Sequence, residues 1–216
     1  MKSFAVAAIA SCALSLAGSV HAASETVPLD AKATALYKRV VALNSGVRTY
    51  KADVHLDVAL KTFPYISPSL DGSIYYKKPD KEAVVFDSVP ALASQFKKVY
   101  PKVDPPSRWF VLYDIGVLPG DESSTVYRLV PKKNGRVDHL DVRVDDATAT
   151  IKNYAWAYKD GGSVTFDQTY TSVAGAYLVD KQVGHVEFPS YKADVTSNFT
   201  NYKLNVAVDD AVFADK

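Results

Sequence analysis

Tyr50-Lys51-Ala52-Asp53-Val54-His55-Leu56-Asp57-Val58-Ala59-Leu60 decides how this chain folds. It puts Tyr50, Ala52, Val54, Leu56, Val58 and Leu60 on one phase and Lys51, Asp53, His55 and Asp57 on the other. Successive side chains of a strand point to opposite faces, so this run is a strand with one apolar and one charged face. The same phase returns at Leu140, Val142 and Val144, at Tyr154, Trp156 and Tyr158, and at Val164, Phe166 and Tyr170. Turn residues separate the runs, Asp160-Gly161-Gly162 being a strong hairpin signal, and the sum reads as one long antiparallel sheet. Such a sheet must cover its apolar face with helices, with itself or with a ligand. Helical sequence is scarce, so that face is where function is sought.

One helix is expected, over 31–44, with Asp30 as N-cap and Gly46 as terminator. Leu29, Ala33, Leu36, Val40, Leu43 and Val47 form its apolar stripe. Strands are expected over 48–61, 72–78, 82–88, 108–115, 125–131, 137–144, 150–159, 163–171, 176–188 and 191–198, with a closing segment at 204–208. That is a strongly bent sheet of about ten strands with the helix on its concave side. Residues 90–107 contain Pro90, Pro101, Pro105 and Pro106, do not alternate, and hold a candidate short helix at 91–99, with Leu92, Phe96 and Val99 on one side. They are expected to form a cover over the sheet, less ordered than the strands.

The chain has 216 residues with 25 Lys and Arg against 24 Asp and Glu. That balance gives no footprint for nucleic acid. Lys2, the apolar stretch 4–16 and Val20-His21-Ala22 have the order of a secretory signal peptide over 1–22, which leaves 23–216 as a single exported, periplasmic domain. Cys12, the one cysteine, lies inside that stretch, where Ile9-Ala10-Ser11-Cys12 offers a minor alternative as a lipoprotein signal. Ordinary cleavage removes it, and thiol catalysis, disulfides and cysteine-bound zinc with it.

Several of these segments resemble the LolA/LolB-type lipoprotein carrier superfamily. Gly72-Ser73-Ile74-Tyr75-Tyr76-Lys77-Lys78-Pro79 is similar to its signature of a glycine, an aromatic strand and basic-basic-proline, and Tyr127-Arg128-Leu129-Val130-Pro131-Lys132 to its next strand. The paired strands through Asp160-Gly161-Gly162 and the ending with Phe199, Asn201-Tyr202, Asn205 and Phe213 resemble the family's later part. The resemblance implies a mainly-β, α+β fold: a half-open antiparallel β-barrel lidded by helices, whose apolar concave face receives acyl chains. It also implies a lid latch before the signature proline. The matching residue is Lys78, which lacks the planar donor fork of the family's arginine.

Sharper motifs give little. Ser94-Gln95-Phe96-Lys97 has the S-x-x-K spacing of penicillin-recognising enzymes without their S-D-N and K-T-G partners. His139 beside Asp138 and Asp141 reads as a solvated polar face, with Asp138 pointing away from the histidine. No metal set, cofactor loop or catalytic constellation is expected. The reading is therefore a monomeric periplasmic binder of lipid or lipoprotein acyl chains, without chemistry and with an envelope protein as donor or acceptor. The lipid is expected against Val54, Leu56, Val58, Ile74, Tyr76, Leu140, Val142, Trp156 and Phe166. The alternatives are an envelope interaction or stress-sensing module of the same fold, which would have a filled interior, and an exported enzyme, which would gather polar groups in a pocket.

Overall fold

A computed structural model describes residues 27–88, 103–119 and 121–214. Helix α1 (Ala31–Ala42) leads into β1 (Thr49–Leu60), β2 (Ser69–Lys77) and β3 (Lys81–Phe86). A 3-10 turn (Pro106–Arg108) and the one-turn α2 (Trp109–Leu112) precede β4 (Tyr113–Leu118) and β5 (Ser124–Pro131). Then follow β6 (Val137–Asp145), β7 (Ile151–Tyr158), β8 (Ser163–Val173), β9 (Ala176–Phe188) and β10 (Tyr191–Leu204). All ten strands join one sheet in the order β3-β2-β1-β10-β9-β8-β7-β6-β5-β4. Every pairing is antiparallel. The edges β3 and β4 do not pair, so the sheet is a half-open barrel.

The inner face is built from cross-strand rows. Val58, Val195, Gly184, Phe166, Tyr154, Val142, Tyr127 and Val117 stand opposite one another in turn from β1 to β4. One row along lie Leu60, Ala193, Val186, Val164, Trp156, Leu140, Leu129 and Ile115. Gly184 is needed here because a Cβ would stand 2.4 Å from the Phe166 ring. The row on the other side turns polar: Leu56 faces Ser197, then Gln182 and Gln168. Gln182 Nε2 donates to Gln168 Oε1 at 2.9 Å, so these amides satisfy one another beneath the surface.

Helix α1 lies on this face. Asp30 accepts from the Ala33 N–H at 2.7 Å, the expected N-cap. Ala33, Leu36, Tyr37 and Val40 enter the same core cluster as Leu56, Val142 and Trp156. Tyr127 Oη donates to the Ala33 carbonyl at 2.6 Å, and Lys32 and Arg39 reach Asp146 and the carbonyl of Ala147.

Three expectations are corrected. The helix stops at Ala42, and the left-handed residue beyond it is Asn44 (φ 58°) rather than Gly46. The Asn44 carboxamide both accepts from and donates to the backbone of Tyr177, tying the helix end to β9. Residues 108–112 are helical, not strand, because Pro106 opens a turn and Trp109 is drawn fully inside, its indole N–H donating to the Asp104 carbonyl at 3.0 Å. The sheet does not break at residues 199–203: Asn201 (φ 55°) absorbs an extra residue as a bulge opposite Ala52, and β10 runs on to Leu204.

Candidate functional site

The inner face opens at one end into a cleft of about 420 Å³. Its floor is Leu140 and Trp156, which face each other across β6 and β7, with Val137 and Tyr158 one pairing further out. Tyr113 and Pro131, paired across β4 and β5, close one side. The rim is the β5–β6 turn, which contributes Lys133, Asn134, Gly135 and Arg136. Trp156 is held from both directions, stacked on Tyr154 at 5.4 Å and edge-on to Phe166 at 6.2 Å.

Two hairpin turns fix the rim. The Lys159 N–H donates to the Arg136 carbonyl at 3.0 Å, joining the β7–β8 turn to the β5–β6 turn. The Arg136 guanidinium lies over the rings of Phe188 (4.9 Å) and Tyr158 (5.5 Å). Its Nε and Nη2 both reach one oxygen of Asp160, at 2.9 and 2.8 Å. That contact holds the Asp160 carboxyl below the usual carboxylate range. Burial pushes the Tyr158 hydroxyl up, against the opposing pull of Arg136. On the far side, Tyr113 Oη donates to Asp104 Oδ2 at 2.8 Å. Burial, before this bond, pushes the Tyr113 hydroxyl above the ordinary phenol range.

Of the nine residues expected to meet lipid, Leu140 and Trp156 line this cleft. Leu56, Val58, Val142 and Phe166 are buried in the same core cluster behind it. Val54 and Ile74 are buried in a second cluster with Ala52 and Phe199. Tyr76 is half-buried and stacked on Tyr50 at 5.1 Å. All nine share the inner face; they do not share one cavity. Lys78 donates through Nζ to the Ser45 carbonyl, which ties the β2–β3 turn to the loop after α1.

Within the expected cover, residues 89–102 lie outside the described residues, Ser94 and Lys97 among them. The described end of that segment is anchored: Pro106 accepts from Tyr37 Oη at 2.7 Å and Asp104 holds Trp109 and Tyr113. His139 sits on the outer face, but Asp138 does not point away from it. A bulge between Val137 and His139 brings the Asp138 carboxylate to His139 Nδ1 at 2.8 Å. Among the described residues no three His, Cys, Asp or Glu side chains converge as a metal set.

The sequence reading missed Val137, Tyr113 and the cationic rim. The available signal was Lys132-Lys133-Asn134-Gly135-Arg136, a turn dense in cations between two strands whose flanking residues, Pro131 and Val137, are apolar.

No protein-family model and no curated protein matches the sequence. Solved structures do match its fold. A LolA superfamily protein from Nitrosomonas europaea superposes with a TM-score of 0.60 at 9% identity, over 84% of this chain and 97% of the other. A DUF1329 family protein from Desulfovibrio piger gives 0.62 at 14%, over 84% and 96%. A Vibrio parahaemolyticus domain described as outer membrane lipoprotein-sorting gives 0.63 at 12%, over 84% and 94%. The chain has a LolA-like fold.

Proposed function

We propose that this protein is a periplasmic carrier that lodges the acyl chain of a lipid or lipoprotein on the inner face of the half-barrel and does no chemistry on it. The observation that carries this reading is the open cleft on the apolar face, floored by Leu140 and Trp156. Its volume falls within the range of small-molecule sites, and its apolar floor beneath a polar rim suits an amphiphile. Each methylene taken out of water contributes about 0.8 kcal/mol. A chain of about 16 carbons therefore gains on the order of 10 kcal/mol before the cost of ordering it. The remaining inner-face residues, Val142 and Phe166 nearest, form the wall along which a longer chain would run. The lipoprotein-sorting description of a neighbour with this fold supports the same direction.

Trp156 is one of two tryptophans, which gives a direct test. A fatty acid of about 16 carbons brominated along its chain should quench the parent protein's fluorescence, and the quenching should be lost in Trp156→Phe. Native mass spectrometry of protein purified from a periplasmic extract should show co-purifying lipid. Unquenched fluorescence in folded protein, together with a lipid-free mass, would overturn the proposal.

A further inference from the structure

We infer that the cleft selects amphiphiles with an anionic headgroup, a carboxylate or a phosphate, held at the rim by Arg136 and Lys133. This rests on the acyl-carrier reading and adds what the headgroup must be. The rim gathers cations on a chain whose charge is balanced overall. Lys132, Lys133, Arg136 and Lys159 cluster on the two joined turns. The carboxylates beside them, Asp160, Asp104 and Asp138, are engaged by Arg136, by the Tyr113 hydroxyl and by His139. Lys132 donates to the Phe110 carbonyl and Lys159 to Asn134 Oδ1, contacts that leave their charge uncompensated. Among the described residues Lys133 has no carboxylate within ion-pair distance.

The geometry of Arg136 carries the inference furthest. Two of its N–H groups, on Nε and Nη2, reach Asp160, and a guanidinium has five. The rest have no acceptor among the described residues, while Phe188 and Tyr158 hold the plane of the group in place. A planar donor fork held in this way pairs with an oxyanion more strongly than with the hydroxyls of a neutral glycerol, and its charge repels an ammonium. Directly below it lie Val137, Leu140 and Trp156. An acyl chain on that floor therefore ends with its head among the rim cations.

The test compares amphiphiles with the same chain of about 16 carbons: palmitate, lysophosphatidylglycerol, lysophosphatidylcholine and monopalmitoylglycerol. Each is titrated below its micelle concentration, with Trp156 fluorescence and calorimetry as readouts. The two anionic probes should bind about tenfold more tightly than the two without net charge at low salt, and the preference should shrink as salt screens the rim. Lys133→Gln should weaken the anionic probes by about threefold, as expected for one exposed charge, and leave monopalmitoylglycerol unchanged. Arg136→Gln should do more, and its circular dichroism establishes that it has folded. Palmitate against lysophosphatidylglycerol tells carboxylate from phosphate. Equal binding of all four probes, with Lys133→Gln indifferent, overturns the headgroup inference and leaves the carrier reading intact. If none of the four binds folded protein, the carrier reading fails and this inference with it.

Discussion

Replacing Gly184 by alanine probes the packing behind the cleft. Gly184 sits between Phe166 and Val195 in the cross-strand row, and an added Cβ would stand 2.4 Å from Phe166 Cε1 and 2.7 Å from Cδ1. Carbon atoms in contact rest about 3.5–4.0 Å apart, so the ring must retreat by roughly 1 Å. It has little room, being 5% exposed and edge-on against Trp156. Overpacking of this kind costs about 1–3 kcal/mol. A glycine-to-alanine change in an unobstructed strand would instead favour folding by about 0.5–1 kcal/mol. In a Phe166→Leu background, which takes the ring away, Gly184→Ala should therefore be neutral or stabilising. The four proteins of this cycle are compared by urea unfolding at matched m-values, with circular dichroism and fluorescence as probes. A favourable coupling of about 1–3 kcal/mol is expected. Additivity within about 0.5 kcal/mol would show that the ring does not lie over Gly184.

Tyr127→Phe removes the buried hydrogen bond to the Ala33 carbonyl and should lower stability by about 1 kcal/mol, read from the same unfolding curves; an unchanged midpoint would mean that α1 is held by apolar packing alone. The hydrogen bond to Asp71, aided by the charge of Asp57, raises the His55 pKa above its ordinary value. A raised folded-state pKa gives stability that is whole below about pH 6.5 and lost as pH rises through the folded value. His55→Gln should flatten the melting temperature against pH over that window, and a profile identical to the parent's would remove His55 from the account.

The pattern of β1 could be read directly because its inward residues, Leu56 opposite Ser197 excepted, meet apolar partners on β10 while its outward ones meet water or a charge. The α1 N-cap was equally plain, since Asp30 needs only its own next turn. Residues 108–112 were not. Arg-Trp-Phe-Val-Leu has strand propensity, and helical geometry prevails because Trp109 is fixed by Asp104 and packs near Tyr37 and Tyr127, distant in sequence. The continuity of β10 depended on a left-handed Asn201, which alternation cannot reveal. Of the cleft lining, phase alone singled out Leu140 and Trp156. It could not identify Arg136 or Lys133, because cations in turns are ordinary until two hairpins are joined by the Lys159–Arg136 contact over an apolar floor.

The inner face is divided in a way that bears on the proposed carriage. Under α1 it is dense: Trp109, Tyr127, Val142 and Val144 have no exposed surface. At the cleft the same rows reach Leu140 and Trp156, themselves only 2% and 5% exposed, which form the floor beneath the open rim. A longer chain can extend along these rows only if α1 moves off the sheet. That movement breaks no ladder hydrogen bond, since α1 belongs to no strand and the edges β3 and β4 are unpaired with each other. What resists it is the buried stripe of Ala33, Leu36, Tyr37 and Val40 together with polar contacts: Tyr127 to the Ala33 carbonyl, Tyr37 to the Pro106 carbonyl, Arg39 to two carbonyls, Asn44 to the Tyr177 backbone, and the Lys32–Asp146 ion pair. The neutral hydrogen bonds contribute about 1 kcal/mol each, and the part-exposed ion pair no more than that. Exposing Leu36, Tyr37 and Val40 costs about 1.5–3 kcal/mol for each side chain, so the total is comparable with the order of 10 kcal/mol that an acyl chain gains on burial. If the protein carries acyl chains as proposed, the contacts of α1, polar and apolar together, limit how much of a chain can enter, because they rather than the sheet ladders must give way.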